Sequence, residues 1–546
     1  MNVNRLRRPM RLIVAGLAVA ALPATFFTSV TSAAFTDSEY GTIALTAARQ
    51  PPVISAVTTG TDGHAKVTSA FVGQLGATGQ PSVDAWLRSL TTANDSVQGD
   101  ITASETYTSS PNLTGAAMGT AMGSYTITYN VSNNQDVAAT PVSVPVSIWG
   151  FVKIATANEQ QTAAHTLALG SNGSVYGWGY NPYGQANPSK VGTNVLMPTL
   201  LSMPSGFSSP AVDVATSQGT SYVLDAAGVL WSWGYNPDGE AGQGTTASPA
   251  GIGQVKIPVP VQIRPNAAIG AAPSYGTIAA STYTASAVGT DGHVYSWGSA
   301  NGYFANGNIL GSSMSTPTAV TGIPASATWV AQGGWGGGAI AAGGQVFVWG
   351  TAAEGERANG TTIGTTGIAT LVMTSLLTSL GNVTQLSYSA RHLIALDTSG
   401  AVWGWGYNST YQLGSKSSAG ASLGTGDVLY ATQLGGWPSG VSSLNAGYDY
   451  SLAVTSPGAL YSVGYESDNS LMNGVNSGGV VTTPTLVVAS GVAQASGSYD
   501  VSTYLSTDGS TVYGAGYGGD GELGNGTTSS SYTQNTPWTF TPPSLN

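Results

Sequence analysis

The stretch HTLALGSNGSVYGWGYNPYGQ, residues 165–185, decides how the rest of the chain is read. It strings together a short apolar run, a turn ending in glycine, a Val-Tyr pair and Trp-Gly. Six more copies follow, and the closing glycines are Gly179, Gly234, Gly298, Gly350, Gly406, Gly464 and Gly516. They are 55, 64, 52, 56, 58 and 52 residues apart. Self-similarity at such a period marks a chain built from repeated supersecondary units, each buried by its neighbours.

Superposing the copies shows what each unit must do. The turn glycines are Gly173, Gly228, Gly292, Gly344, Gly400, Gly458 and Gly509, several of them in Asn-Gly, Asp-Gly or Gly-Gly pairs suited to tight hairpins. A Val or Leu follows, then always an aromatic: Tyr176, Trp231, Tyr295, Phe347, Trp403, Tyr461 and Tyr513. Next come Trp178, Trp233, Trp297, Trp349 and Trp405, with Val463 and Ala515 in the last two copies. Adjacent strand residues face opposite sides, so the aromatic and the Trp share one side and the Val/Leu takes the other. Both faces are apolar, and a sheet stacked between two neighbours covers both. Strand-like pieces flank the hairpins: IPVPVQI at 257–263, TPTAVTGI at 316–323 and TPTLVVA at 483–489. Four short strands per unit and seven units predict an all-β, seven-bladed β-propeller over residues 149–546. The first copy lacks a preceding Thr-Pro strand and the last lacks a following Val-x-x-Ile strand, so the two ends are expected to complete one blade jointly.

The copies at 165–185 and RHLIALDTSGAVWGWGYNSTYQLG at 391–414 resemble repeats of the regulator of chromosome condensation family. The resemblance implies a seven-bladed propeller. The founding member is an exchange factor for a small GTPase that also binds chromatin; none of its exchange loops matches here, so exchange activity is set aside. A secreted propeller that inhibits β-lactamases has the same repeat logic with shorter repeats. It makes a propeller-type enzyme inhibitor one alternative function.

Upstream of the repeats, Arg5, Arg7, Arg8 and Arg11 precede an apolar run from Leu12 to Phe27, and Thr31-Ser32-Ala33 supplies small residues for cleavage. This layout predicts a secretory signal peptide over residues 1–33 and an extracellular or cell-surface protein with no stable membrane insertion after cleavage. Residues 34–50 read as a leader or linker. In residues 51–148, GSYTITYNVSNNQDVAATPVSVPVSI alternates around a polar turn at Asn133 to Asp136, which predicts a hairpin on a half-buried sheet. Together with GDITASETYT it resembles small bacterial immunoglobulin-like β-sandwich domains, which implies a spacer or weakly adhesive module.

Charged residues are 7% of the chain, against about 25% on average. A net charge of −11 with 14 Lys+Arg argues against nucleic acid as a partner. There is no cysteine, which removes disulfides, thiol catalysis and Cys-ligated metals. His165 and His392 occupy one repeat position and stand in separate units, so they read as structural; His64 and His293 show no ligand spacing. The acidic loops NPDGE (236–240) and GGDGELGNG (518–526) read as solvated turns, and no metal or cofactor is expected. The residue after each Trp-Gly position is Tyr in five copies: Tyr180, Tyr235, Tyr407, Tyr465 and Tyr517, with Asn181, Asn236 and Asn408 behind three of them. Repetition puts these residues at one height around the ring, as a candidate surface for an extracellular protein or glycan. The function expected is non-catalytic binding or scaffolding outside the cell. A polymer-acting extracellular enzyme or a surface-layer component is the alternative.

Overall fold

The computed structural model describes residues 33–37, 41–45 and 52–539, apart from 57–64, 69–82, 96–97, 111–122, 134–135, 158–163, 249–250, 255–274, 300–312 and 476–477. Residues 1–32, His64, IPVPVQI and part of the 34–50 segment lie outside this set. Ala33–Asp37 and Gly41–Leu45 pair as an antiparallel hairpin.

Residues 52–149 form two small sheets around one core. Val53–Ala56, Thr91–Asp95 and Gly99–Asp100 make the first. The second runs Ala65–Thr68, Val142–Trp149, Gly123–Asn130, Thr106–Ser110, with its first pair parallel. The hairpin expected around Asn133 to Asp136 is present: Tyr129 faces Val142 and Gly123 faces Ile148. Ile54, Ala93, Ile127, Tyr129, Val144, Val146 and Ile148 fill the interior. A six-residue helix, Val83–Arg88, contributes Leu87, and the buried Tyr129 hydroxyl donates to the Leu87 carbonyl.

From Phe151 onward the described chain forms seven four-stranded antiparallel sheets, each of four strands consecutive in sequence. Their first strands are Phe151–Thr156, Ala211–Thr216, Tyr275–Ser281, Trp329–Gly333, Val383–Tyr388, Val441–Ala446 and Val492–Gly497. These strands line a shared central cavity of about 480 Å³. The architecture is a β-propeller. In the first sheet the two faces enter different cores, as the alternation requires. Tyr176 and Trp178 pack with Leu505 and Val512 of the seventh, while Leu167, Leu169 and Val175 pack with Val214, Trp231 and Trp233 of the second.

The chain ends do not share a blade. The first sheet draws all its strands from Phe151–Leu200, and the seventh takes Val492–Gly497 as its own first strand. Each unit begins one strand earlier than the spacing suggested, so VAQASG opens the seventh sheet ahead of its hairpin. The ring is sealed by side chains instead. Gln494 accepts from the Ile154 N–H at 2.9 Å and donates to its carbonyl at 3.1 Å. One step on, the Thr156 N–H donates to Ser496 at 3.0 Å.

The repeat tryptophans form a second tier of joints. The indole N–H of Trp233 donates to the Gln185 carbonyl of the preceding sheet's loop at 2.8 Å, Trp297 to Glu240 at 2.9 Å, and Trp405 to Glu356 at 2.8 Å. Trp178 donates to Glu522 at 2.9 Å, across the seam between the first and last sheets. Where Trp gives way to Val463 and Ala515, the serine opposite on the second strand still makes such a link, as Ser221 does beside Trp233 in the second sheet. Ser451 donates to the Gln412 carbonyl at 2.8 Å and Ser502 to that of Ser470 at 2.7 Å.

Candidate binding face

In the second to seventh sheets the turn between the first and second strands rims one mouth of the cavity. Adjacent rims are tied by backbone bonds, as from the Gln218 N–H to the Thr282 carbonyl and from the Tyr448 N–H to that of Ser498. The repeat glycine is set by this turn. Its φ lies between 93° and 124° in all seven copies. An added Cβ would come within 3.0 Å of the carbonyl just before the second strand. That carbonyl also accepts the N–H of the residue after the glycine: Ala164 from Tyr180, Gly219 from Tyr235, Arg391 from Tyr407, Asp449 from Tyr465, Asp500 from Tyr517. The five tyrosines therefore stand at equivalent places on one face, half-buried.

The asparagines behind them do not reach that surface. Asn181, Asn236 and Asn408 are fully buried. Asn181 donates to the carbonyls of Lys190 and Thr193 and accepts from the Asn187 N–H at 2.9 Å. Asn236 holds Thr245, Ala247 and Ala241 the same way, and Asn408 holds Gly424 and Leu413. Their carboxamides organise the loop behind Trp-Gly, which corrects their reading as contact residues.

The acidic loops are also not simply solvated. Glu240 and Glu522 are buried to 1% exposure, each accepting the N–H two residues earlier at 2.9 and 2.8 Å. Glu356 is alike. Burial pushes the carboxyls of Glu240 and Glu356 up to about 7 and that of Glu522 to about 8. Gln185 and Gln412 fill the same position with the same bond, so a protonated Glu here copies Gln.

His165 and His392 are structural, each reaching a side chain of the next sheet through Nε2, and Nδ1 of His392 also lies 2.9 Å from Ser389 Oγ of its own sheet. Nε2 of His165 lies 2.8 Å from Ser221 Oγ and that of His392 2.9 Å from Ser451 Oγ. Each serine in turn donates to a loop carbonyl, Gln185 or Gln412, so the imidazole is the donor. Burial lowers both rings to about 3, which keeps them neutral. Tyr450 fills the position in the sixth sheet and meets Ser502 at 2.6 Å. Among the described residues no group of three or more His, Cys, Asp or Glu is placed to hold a metal.

Of the tyrosines singled out by the repeat, Tyr407 enters a larger cluster. The Arg391 guanidinium sits over three rings: Tyr407 at 4.9 Å, Trp335 at 5.4 Å and Tyr448 at 5.9 Å. Glu354 Oε2 is 3.6 Å from its Nε. Tyr448 meets Tyr499 edge to face at 4.9 Å. Burial raises the carboxyls of Glu354 and Asp449, and Arg391 opposes the rise in both. Tyr235 meets the exposed Tyr183 at 4.7 Å with the rings tilted, apart from this cluster. Trp335, Arg391, Tyr448 and Tyr499 all lie on rim turns, which the repeat does not dictate. The readable signal was variation: the residue before the second strand is Gly219, Tyr283, Trp335, Arg391, Asp449 and Asp500 in successive copies, on an otherwise uniform frame.

The repeat profile "Regulator of chromosome condensation (RCC1) repeat" matches residues 163–185 and 383–412. At these two stretches the chain is similar to the regulator of chromosome condensation repeat. Over 377 residues it is 24% identical to the E3 ubiquitin-protein ligase HERC2 of Mus musculus, covering 66% of this chain and 7% of that protein. Over 255 residues it is 24% identical to the RCC1 domain-containing protein RUG3, mitochondrial, of Arabidopsis thaliana, covering 46% of this chain and 53% of that one. The chain thus spans a small part of the first relative and about half of the second. Among solved structures it is similar to Prp20p of Saccharomyces cerevisiae, with a TM-score of 0.55 and 20% identity over 67% of this chain and 85% of that one. Human WBSCR16 gives 0.52 and 18% over 69% and 92%. Both likenesses concern the repeat propeller as a fold.

Proposed function

We propose that this repeat protein is an exported, non-catalytic binding module, its seven sheets acting as the seven blades of one propeller, that holds an extracellular protein on the rim around Trp335, Arg391, Tyr448 and Tyr499. The observation that carries the reading is that contiguous cluster: three rings on one guanidinium with a fourth ring against them, half-buried around a cavity mouth. Aromatic and arginine side chains dominate the centres of protein interfaces. Prp20p, a propeller of this repeat type, is described by its binding to Gsp1p and histones, which supports protein recognition as a use of the fold. Export rests on the Arg-rich, apolar, small-residue order of residues 1–33. Residues 51–148 are read as an immunoglobulin-like spacer. They join the first sheet at Phe151, the end of the strand away from the rim. Among the described residues no helix is long and apolar enough to cross a membrane.

The test is capture from the secretions and cell walls of the producing organism and its neighbours, on immobilised full chain. One partner is expected to be retained, and Trp335→Ala with Tyr448→Ala is expected to release it while circular dichroism stays unchanged. Retention that survives both changes but is lost on changing Tyr180 and Tyr235 would move the site around the ring. A folded chain that captures nothing and cleaves a polymer would defeat the binding reading.

A further inference from the structure

Among the described residues the rim turns hold one cation and, beside it, a second place of similar make without one. Arg391 lies among Trp335, Tyr407 and Tyr448, with Glu354 against its Nε. One step around the ring, Tyr499 stands edge to face with Tyr448 and is 36% exposed. After burial, the groups acting most on its hydroxyl are Asp449, Asp500, Tyr465 and Asp468, each negative or able to become so. Asp500 is 1% exposed, and neither of its carboxylate oxygens has a hydrogen-bond partner; one oxygen of Asp449 is likewise unpartnered. A buried carboxylate with neither donor nor cation is costly to keep. Asp449 and Asp500 lie on the rim turns and Glu354 and Asp468 on the loops after third strands beside them; Arg391 is the guanidinium of these turns, while Arg357 on the Glu354 loop donates to the Ile363 carbonyl. The chain as a whole carries −11.

We propose that the corner formed by Tyr448, Asp449, Tyr499 and Asp500 receives an arginine side chain from a protein partner, held as this chain holds its own Arg391. The inference rests on the binding reading of the same rim and names the chemistry of the partner. Asp449 and Tyr499 reach the surface and meet the ligand. Asp500 lies beneath, its carboxyl raised to about 6 by burial, and an incoming guanidinium favours its charged form. A flat guanidinium fits better than an ammonium, because it stacks on a ring while its N–H fork reaches carboxylates at the edge.

Fluorescence anisotropy of the full chain with a labelled hexapeptide alternating Arg and Gly tests this, against Lys-Gly and Glu-Gly versions. The arginine peptide is expected to bind more tightly than the lysine one and the glutamate one not at all, with affinity falling as salt rises. Tyr499→Ala and Asp449→Asn are each expected to weaken it about three- to tenfold. Tyr183→Ala, on the same face but outside the corner, leaves it unchanged. Equal binding of the lysine peptide overturns the guanidinium assignment. Equal binding of the glutamate peptide, or arginine binding indifferent to Tyr499→Ala, overturns the site. A natural partner released by Trp335→Ala but not by Tyr499→Ala would sink this inference and leave the binding reading standing. Arginine-peptide binding at the corner with no captured partner would do the reverse.

Discussion

Glu240, Glu356 and Glu522 show how one side chain ties loop chemistry to solution conditions. Each sits where Gln185 and Gln412 sit in other units, accepts one backbone N–H, and has its second oxygen buried without a hydrogen-bond partner. In the unfolded chain a glutamate ionises near its ordinary value, about 4.3. In the fold these three, and Glu466, hold their protons to about 7 or 8. The folded state therefore binds more protons between those limits, and stability present below about pH 4.3 is lost as pH rises through 7 to 8. His165 and His392 act in the opposite sense: lowered to about 3, they cost stability as pH falls below about 6.5. Thermal unfolding is expected to peak at mildly acidic pH. The triple change Glu240→Gln, Glu356→Gln, Glu522→Gln is expected to flatten the alkaline side, with about 1–3 kcal/mol regained per site at pH 9. An unchanged alkaline limb in that variant would refute this account. At this scale the sequence was least informative. Asn181 and Glu240 are polar residues in glycine-rich loops, and nothing in their spacing shows that the side chains turn inward.

Between elements, the joints repeat even where their residues do not. An indole N–H reaching a loop carbonyl of the preceding sheet links four described pairs of neighbours, and a serine hydroxyl still makes such a link beside Val463 and Ala515. Trp405→Phe keeps most of the packing and strands the Glu356 carbonyl. It is expected to cost about 1–3 kcal/mol in denaturant unfolding. Ser451→Ala breaks two links at once, since His392 loses its acceptor and the Gln412 carbonyl its donor; its cost should equal or exceed that of Trp405→Phe. A neutral Ser451→Ala would show that these two bonds add nothing to the joint beyond packing and the Gln385–Ser442 and Ser387–Ala446 bonds. The hairpins and their two-sided burial were legible because alternation along a strand is a local property. The worn copies looked weaker than they are, because the remaining donor sits on the neighbouring strand.

Across the whole molecule, strand direction sorts the faces. The first strand of each sheet runs toward the rim turns, so Phe151 starts, and the last strand, ending at Thr539, finishes at the opposite end. The chain has no cysteine, so a single introduced one gives a unique handle. Coupling to a support through Ser399→Cys, on a turn at the end away from the rim, is expected to preserve partner capture, whereas coupling through Tyr499→Cys should abolish it. Equal capture in both orientations would place binding elsewhere. The repeat number and period were legible from residues 165–516, yet the chain-end arrangement was not. Which strand opens a unit depends on pairing partners, and the first strands share no residue that marks them: Ile154 and Ile278 have Val214, Leu386, Leu444 and Ala495 as counterparts.

That seam has a further consequence. Gln494 with Ile154, Ser496 with Thr156, and Trp178 with Glu522 close the circle using bonds like those between Gln385 and Ser442 or Trp405 and Glu356. The clasp of this bracelet is one more link. No sheet is energetically the first, so the order in which the gene writes them is a matter of history: a cyclically shifted version, opened between two other sheets and joined here, should close into the same object.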